Sequence, residues 1–502
     1  MSSKKFSLFF FTTLLLLRLS LLGRGSLTWI DEQRYIGILR GMRLLLEGDG
    51  FQAFSLLLGE THARPAMVAV FFLPALLQVL REHFLQVQLL SPVELYIPTA
   101  LNAILATVCC LQVYLLARKS FLESASAPWL CTLLFSFCTP SFYYVRHLVP
   151  YYAALCFFLW ACLRLFDIGK HSTTVHYLAL GSLSALTFVT YPGYYFAVPT
   201  IAGALLLKLG RASWPHPLLQ FCAGALLPLV IIEAVAACFS FSYLAVLSQL
   251  SQTVNIGSFD ESFTFLPEYL IQVDGPIGVL LLAGAAAFLL CLGTRTGRAK
   301  LRGLLRPDFV YIAISLASLL LTHAALGYFA RHMVFYGRLL LPAYAIMVIM
   351  TVGGLYALVG SSFRAYLGAA LVALGLGSFL PRVEEFYALE YPRDGLYTVH
   401  ASAETINRLT FVEERENCLR YSLPLHPAPG DSLLGNQLTL VNFCDYFHVT
   451  RLLPTFSPPP TSRNLLYGPH FLSFPAYQYE GLAPEERNLI RATRLSLAAY
   501  AP

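Results

Sequence analysis

The feature that most restricts this chain is a succession of apolar runs, near the ~17–25 residues that a helix needs to cross a bilayer, joined by short connectors rich in Lys and Arg. Eleven such runs are read, near 6–23, 94–117, 126–146, 150–167, 176–191, 194–209, 217–238, 276–293, 309–328, 338–359 and 366–381. In hydrocarbon every backbone N–H and C=O must be satisfied inside the protein, so runs of this length predict helices. Only 12% of the residues are charged and 57% are hydrophobic, against roughly 25% charged in soluble domains. A soluble globular chain is excluded. The first run follows Lys4 and Lys5, is interrupted by Arg18 and is followed by no small-residue cleavage site, so it reads as a retained anchor rather than a removed signal peptide.

The basic connectors orient the runs. Lys4 and Lys5 put the N-terminus in the cytoplasm by the positive-inside rule. With eleven crossings, ARKS (117–120), CLRLFDIGK (162–170), LKLGR (207–211), RTGRAKLRGLLR (295–306) and Arg364 all fall on that same side. The net charge of +6 is therefore a topology signal, and nucleic acid is not needed to explain it. One further apolar stretch, AMVAVFFLPALLQVL (66–80), is left out because counting it reverses every later loop; it reads as an interfacial or re-entrant helix. The expected fold is an all-α polytopic membrane domain over 1–381, with about 11 transmembrane helices and amphipathic helices in the first outer loop. A small extracytoplasmic α/β domain follows over 382–502, where proline, charges of both signs and the alternation LTLVNFCDYF (438–447) replace the apolar runs. Cys418 and Cys444, the cysteines of that tail, suit one disulfide if it faces an oxidising compartment.

The first outer loop, Arg24 to about Glu94, holds DEQRY (31–35), RGMRLLLEGDG (40–50) and THARPAMVAVFF (61–72). Asp31 and Glu32 stand side by side there, just past the anchor. A carboxylate pair at a membrane surface suits a general base whose water-soluble substrate meets a lipid-borne one. The same acids suit the first turn of a helix running on through Tyr35, Leu39 and Met42, where the helix dipole favours negative charge. Both roles stay open on pattern alone. Glu233, inside the seventh run, is a costly intramembrane acid, and such acids are usually functional or paired.

The order Asp-Glu-x-Arg after the first run, an x-Arg-Pro-x stretch roughly 30 residues later, many apolar runs and a polar outer tail resembles the C-type membrane glycosyltransferases, in particular the branch of protein O-mannosyltransferases and aminoarabinose transferases. The resemblance implies a polyprenyl-phosphate sugar as donor, Asp31 as the base that deprotonates the acceptor hydroxyl, Glu32 as its partner and Arg34 near the donor phosphate. THARPAM puts Arg64 and Pro65 on the family's Lys-Pro positions, whereas Ala66 replaces the second proline. Ala63 stands where the aminoarabinose branch is often acidic, which leaves open whether a divalent metal binds, with His62 as a substitute ligand. GRLLLP (337–342) is similar to the family's Arg-Tyr-x-x-Pro, with Leu339 in the tyrosine position; it implies Arg338 as the main phosphate ligand and Arg331 as the second, since guanidinium groups bind phosphate bidentately, and an arginine that snorkels from a run end to lipid headgroups is the alternative. YYVRHLVPYY (143–152) implies that Arg146 and His147 touch donor headgroup or acceptor; an interfacial pair among belt tyrosines is the alternative. In TYPGYYFAVP (190–199) Tyr191 replaces a family lysine, either stacking on a sugar or belonging to the belt.

The expected activity is therefore inverting transfer of a sugar to an acceptor hydroxyl on the extracytoplasmic face of a bacterial inner membrane. The partners are the polyprenyl-phosphate donor, a glycan, lipid or protein acceptor, and the bilayer; no nucleic acid is expected. A secondary transporter is the alternative outside enzymes, and it would be expected to carry internal repeats, of which none is visible. An O-antigen ligase or polymerase is the alternative within enzymes, with Asp260, Glu261 and Glu268 of the 239–275 loop as its candidate residues.

Overall fold

A computed structural model describes residues 3–22, 33–60, 64–87, 92–169, 171–210, 214–254, 263–330 and 337–388, with three short strands beyond them. The chain opens with α1 (Ser3–Ser20), α2 (Gln33–Leu46), α3 (Gly50–Glu60) and α4 (Pro65–Leu85). It continues through α5 (Pro92–Ser120), α6 (Ala127–Phe137), α7 (Pro140–Tyr143), α8 (Tyr151–Asp167), α9 (Thr174–Thr190), α10 (Ala197–Leu209) and α11 (Pro215–Cys238). The last group is α12 (Tyr243–Val254), α13 (Phe265–Asp274), α14 (Pro276–Gly293), α15 (Arg295–Leu304), α16 (Pro307–Ala330), α17 (Leu341–Leu358) and α18 (Arg364–Ala388). Proline opens α4, α5, α7, α11, α14 and α16, because its fixed φ suits the first helical position, where its missing N–H costs nothing.

This is an all-α membrane domain. Seven of the described helical stretches are long and apolar enough to cross a membrane: α4, α5, α11, α14, α16, Arg338–Leu358 and Ser361–Glu384. The expected eleven are not reached by that measure, and the reasons are local. Helix α1 has 18 residues but carries Lys4, Lys5 and Arg18. Helices α8 and α9 have 17 residues each, α10 has 13 and α6 has 11. The run expected over 126–146 is cut because Cys138 is extended and Pro140, with no N–H to donate, starts a new turn.

Contacts sort the helix ends into two faces. The basic connectors gather at one of them: Lys119 pairs with Asp167 at 2.5 Å and Lys208 with Asp308 at 2.5 Å. Arg306 lies 5.4 Å over the Phe166 ring, Arg364 lies 5.5 Å over Tyr356, and Phe121 forms a β-bridge with Leu305. The start of α1 joins this face where Phe6 and Phe10 pack edge-on against Trp129. The opposite face holds the breaks at 138–150, 191–196 and 337–340. Helix α4, though long enough to cross, meets that second face with both ends: Arg64 at its start stacks on Tyr191, and Arg81 near its end pairs with Glu94 in the first turn of α5.

At the centre α17 is almost wholly enclosed. Packing in lipid depends on close van der Waals approach rather than on expulsion of water, which favours small residues at crossings. Gly284 of α14 faces Thr351 and Gly354 of α17 closely enough that a Cβ on Gly284 would stand 2.3 Å from Thr351 Cγ2. Beyond α18, which continues past the expected boundary at 381 to Ala388, β1 (Leu396–His400), β2 (Asn464–Tyr467) and β3 (Leu495–Tyr500) pair antiparallel in the order β1-β3-β2. The rest of the tail, including Cys418, Cys444 and the stretch 438–447, lies outside the described residues.

Candidate functional site

On the face opposite the basic loops, three chain breaks bring their side chains together. The first follows α7, where a 3₁₀ turn (Tyr144–Arg146) leads into an extended His147. The second is the 3₁₀ turn Pro192–Tyr194 between α9 and α10, and the third is Gly337–Leu340 ahead of α17. Gly193 makes the second and third fit. A Cβ there would stand 2.4 Å from the Tyr191 ring and 2.6 Å from Leu339 Cδ2, so a larger residue would have to push the Tyr191 and Leu339 side chains aside.

A chain of aromatic rings links the predicted residues. The Arg64 guanidinium lies 5.0 Å over the Tyr191 ring, within cation–π range. Tyr191 packs on Tyr151 at 4.6 Å and on Tyr194 at 5.0 Å, Tyr151 on Tyr144 at 5.0 Å, and Tyr144 on Tyr143 at 5.4 Å. Tyr143 then carries Arg146 over its face at 4.7 Å and the His147 ring tilted against it at 4.8 Å. The segment of Arg338 reaches the cluster through Leu339, whose side chain meets Gly193 beside Tyr191. Arg64, Arg146, His147 and Arg338 are all buried. The Asn102 amide donates to the His147 carbonyl and ties this cluster to α5.

Five of the ten predicted residues thus converge: Arg64, Arg146, His147, Tyr191 and Arg338. Arg34 is half-buried in the first turn of α2. Its neighbour Tyr35 is fully buried and donates to Gln78 Oε1, while Gln78 Nε2 donates to the Glu94 carbonyl at 2.9 Å. Arg81 closes this seam with two-pronged contacts to Glu94 at 2.9–3.1 Å. The seam anchors α2, whose apolar face of Tyr35, Ile38, Leu39 and Met42 is buried against α4, and so holds the helix that starts just after Asp31 and Glu32. Asp31, Glu32, His62 and Arg331 lie outside the described residues, as do Asp260 and Glu261. Glu268 falls in α13.

One candidate, Asp274, carried no clear signal in the sequence. Asp274, before Gly275 and Pro276, reads as a turn residue, yet it is fully buried. Its Oδ1 accepts from the Thr139 N–H at 2.7 Å and pairs with Arg382 at 3.3 Å, and Tyr344 donates to its Oδ2. Burial pushes its carboxyl above the usual range, and the hydrogen bonds from Tyr344 and Thr139, with the charge of Arg382, oppose that rise. Arg18, which broke the first apolar run, is also buried, with guanidinium contacts to Cys110 Sγ at 3.0 Å and to the Ser141 carbonyl at 3.5 Å. Glu233 finds its partner locally: it accepts from Ser242 Oγ at 2.8 Å and the Leu244 N–H at 2.9 Å, capping the start of α12. Among the described residues no group of three His, Cys, Asp or Glu side chains is arranged to hold a metal ion.

What this arrangement suits chemically is an anion. The planar donor forks of the guanidinium groups match a phosphate, and the tyrosine faces offer stacking surface. Comparison with known proteins adds nothing to this geometry, since no family model, curated protein or solved structure matches the chain.

Proposed function

We propose that the chain is an integral membrane glycosyltransferase that moves a sugar from a polyprenyl phosphate to an acceptor hydroxyl, with inversion. The observation that carries the proposal is the convergence of Arg64, Arg146, His147, Tyr191 and the segment of Arg338 from four separate stretches of chain onto one buried aromatic cluster. These are the residues that the family resemblance singles out, and proximity in space is independent of the resemblance. In the proposed step the acceptor oxygen attacks the anomeric carbon and its proton passes to the Asp31 carboxylate. The bond from that carbon to the phosphate oxygen breaks, and polyprenyl phosphate leaves. Arg338, Arg64 and Arg34 stabilise the charge that grows on the phosphate, a preorganised electrostatic contribution.

The proposed setting is a bacterial inner membrane, crossed eleven times with the basic face inside and the tail, a small α/β domain, outside. Alternation between the two faces supports this count: α8 joins Asp167, at the basic face, to Tyr151 in the tyrosine cluster, α16 joins Asp308 to His323 beside Tyr195, and α18 joins Arg364 to Arg382 beside Asp274.

The test is release of polyprenyl phosphate from a panel of labelled polyprenyl-phosphate sugars by the purified protein with an envelope extract as acceptor. Arg338→Gln is expected to lower turnover by about 10²–10³, the usual loss for one charge-stabilising donor, and Asp31→Asn to abolish it. Donor left untouched by the native protein, or full turnover by a folded Arg338→Gln, would overturn the proposal; coupled movement of an intact solute across vesicles would favour a transporter.

A further inference from the structure

On the other face, α15 carries a charge pattern that the proposed activity does not use. Arg295, Arg298 and Arg302 stand at i, i+3 and i+7, so they form one stripe about 10 Å long at 1.5 Å per residue, and Lys300 flanks it. All four are exposed. None has an acid partner among the described residues: the acids nearest on this face, Asp167 and Asp308, are taken by Lys119 and by Lys208 with Arg306. Exposed Glu123, on the connector that pairs with Leu304, is a further acid there among the described residues. Exposed Arg118, in the last turn of α5, adds a further cation to the rim.

The helix is held rigidly with this stripe outward. Thr294 Oγ1 accepts from the Gly297 N–H at 3.0 Å, capping its start. Gly297 sits so close to the end of α14 that a Cβ would stand 2.4 Å from the Cys291 carbonyl oxygen. Leu301 and Leu305 are buried, and the chain after them is zipped to the end of α5 by Leu122 N–H to Leu304 O at 3.0 Å and Arg306 N–H to Ser120 O at 2.8 Å. The apolar side of α15 is therefore consumed by the protein, and its cations have nowhere to turn but away from the bundle.

Their level follows from their neighbours. Helix α15 joins α14 to α16, both long and apolar enough to cross a membrane, and Leu289 and Leu290 on the last turns of α14 are 48% and 71% exposed. Bare apolar surface thus runs to within five residues of Arg295, which puts the stripe where hydrocarbon gives way to headgroups. We infer that α15 is a docking site for acidic phospholipid headgroups, with Arg295, Arg298 and Arg302 binding their phosphates. An anionic leaflet attracts such cations at about 1 kcal/mol each, so loss of three is expected to weaken retention of acidic lipid on the order of a hundredfold. This site is independent of the transferase proposal.

The test is native mass spectrometry of the whole protein, released from nanodiscs of phosphatidylcholine mixed with phosphatidylglycerol, comparing the native form with Arg295→Gln/Arg298→Gln/Arg302→Gln. The native form is expected to retain phosphatidylglycerol in preference to phosphatidylcholine, and the triple variant to lose that preference. A matching triple Lys variant keeps the charge and is expected to retain part of it, which covers the case that the Gln variant does not fold. Equal retention by native and Gln forms, no preference in the native form, or displacement of the lipid by millimolar inorganic phosphate would overturn the inference.

Discussion

The crossing of α9 and α11 gives a sharp test of the packing. Gly181 and Gly224 face each other's backbones: a Cβ on Gly181 would lie 2.0 Å from the Phe221 carbonyl oxygen and 2.8 Å from the Ala225 nitrogen, and one on Gly224 would lie 2.1 Å from the Leu178 carbonyl oxygen. Ser182 Oγ also donates to the Gly224 carbonyl at 2.8 Å. Because the obstructing atoms are backbone, no rotamer change relieves a methyl group, and the helices must separate by over an ångström in Gly181→Ala. Overpacking of this kind costs about 1–3 kcal/mol, and the upper part of that range applies to a backbone collision. Alanine's better helix propensity returns just under ~1 kcal/mol, leaving a net loss of about 1–2 kcal/mol. At roughly 2–4 °C per kcal/mol for chains of 150–250 residues, and less for longer ones, the midpoint of thermal unfolding in detergent is expected to fall by a few degrees. Gly377→Ala in α18 is the control, since nothing stands within 4 Å of its Cβ; only the propensity gain remains, and no fall is expected. The Gly181→Ala/Gly224→Ala pair is expected to cost less than the sum, because both open the same crossing. A Gly181→Ala protein that melts with or above the Gly377→Ala control would refute the close approach.

Two further outcomes are expected. Glu94→Gln removes the charge of a side chain that is 2% exposed and faces Arg81. Removing one member of a fully buried pair costs ~3–5 kcal/mol, but Arg81 is 37% exposed and can turn to solvent, so a loss of about 1–2 kcal/mol in detergent unfolding is expected; no loss would mean that the α4–α5 seam is not formed. Asp274→Asn and Arg382→Met are each expected to destabilise by about 1–3 kcal/mol, with the double variant costing less than the sum because the two groups share one network. Strict additivity would separate Arg382 from Asp274.

Much of this molecule is legible along the chain because hydrocarbon leaves a segment few options. Apolar length implies helix, prolines such as Pro65, Pro92, Pro215, Pro276 and Pro307 mark where helices start, and the positive connectors that carry Lys119, Lys208, Arg306 and Arg364 lie at one end of the bundle. Local pattern also identifies the stretches around Arg64, Arg146, Tyr191 and Arg338 as polar breaks between apolar runs. It does not say that they meet. That depends on which helices neighbour one another, and neighbours are selected by contacts a single segment does not contain, such as Gly193 against Leu339 or Gly284 against Thr351. The same reason hides Asp274: beside Gly275 and Pro276 it looks like any turn acid, and only the folded bundle brings Thr139, Tyr344 and Arg382 to it from 135, 70 and 108 residues away. Helix formation in lipid is a local matter of backbone hydrogen bonding, whereas the arginine–tyrosine cluster and the buried Asp274 network depend on packing between distant segments, and tertiary structure alone decides those.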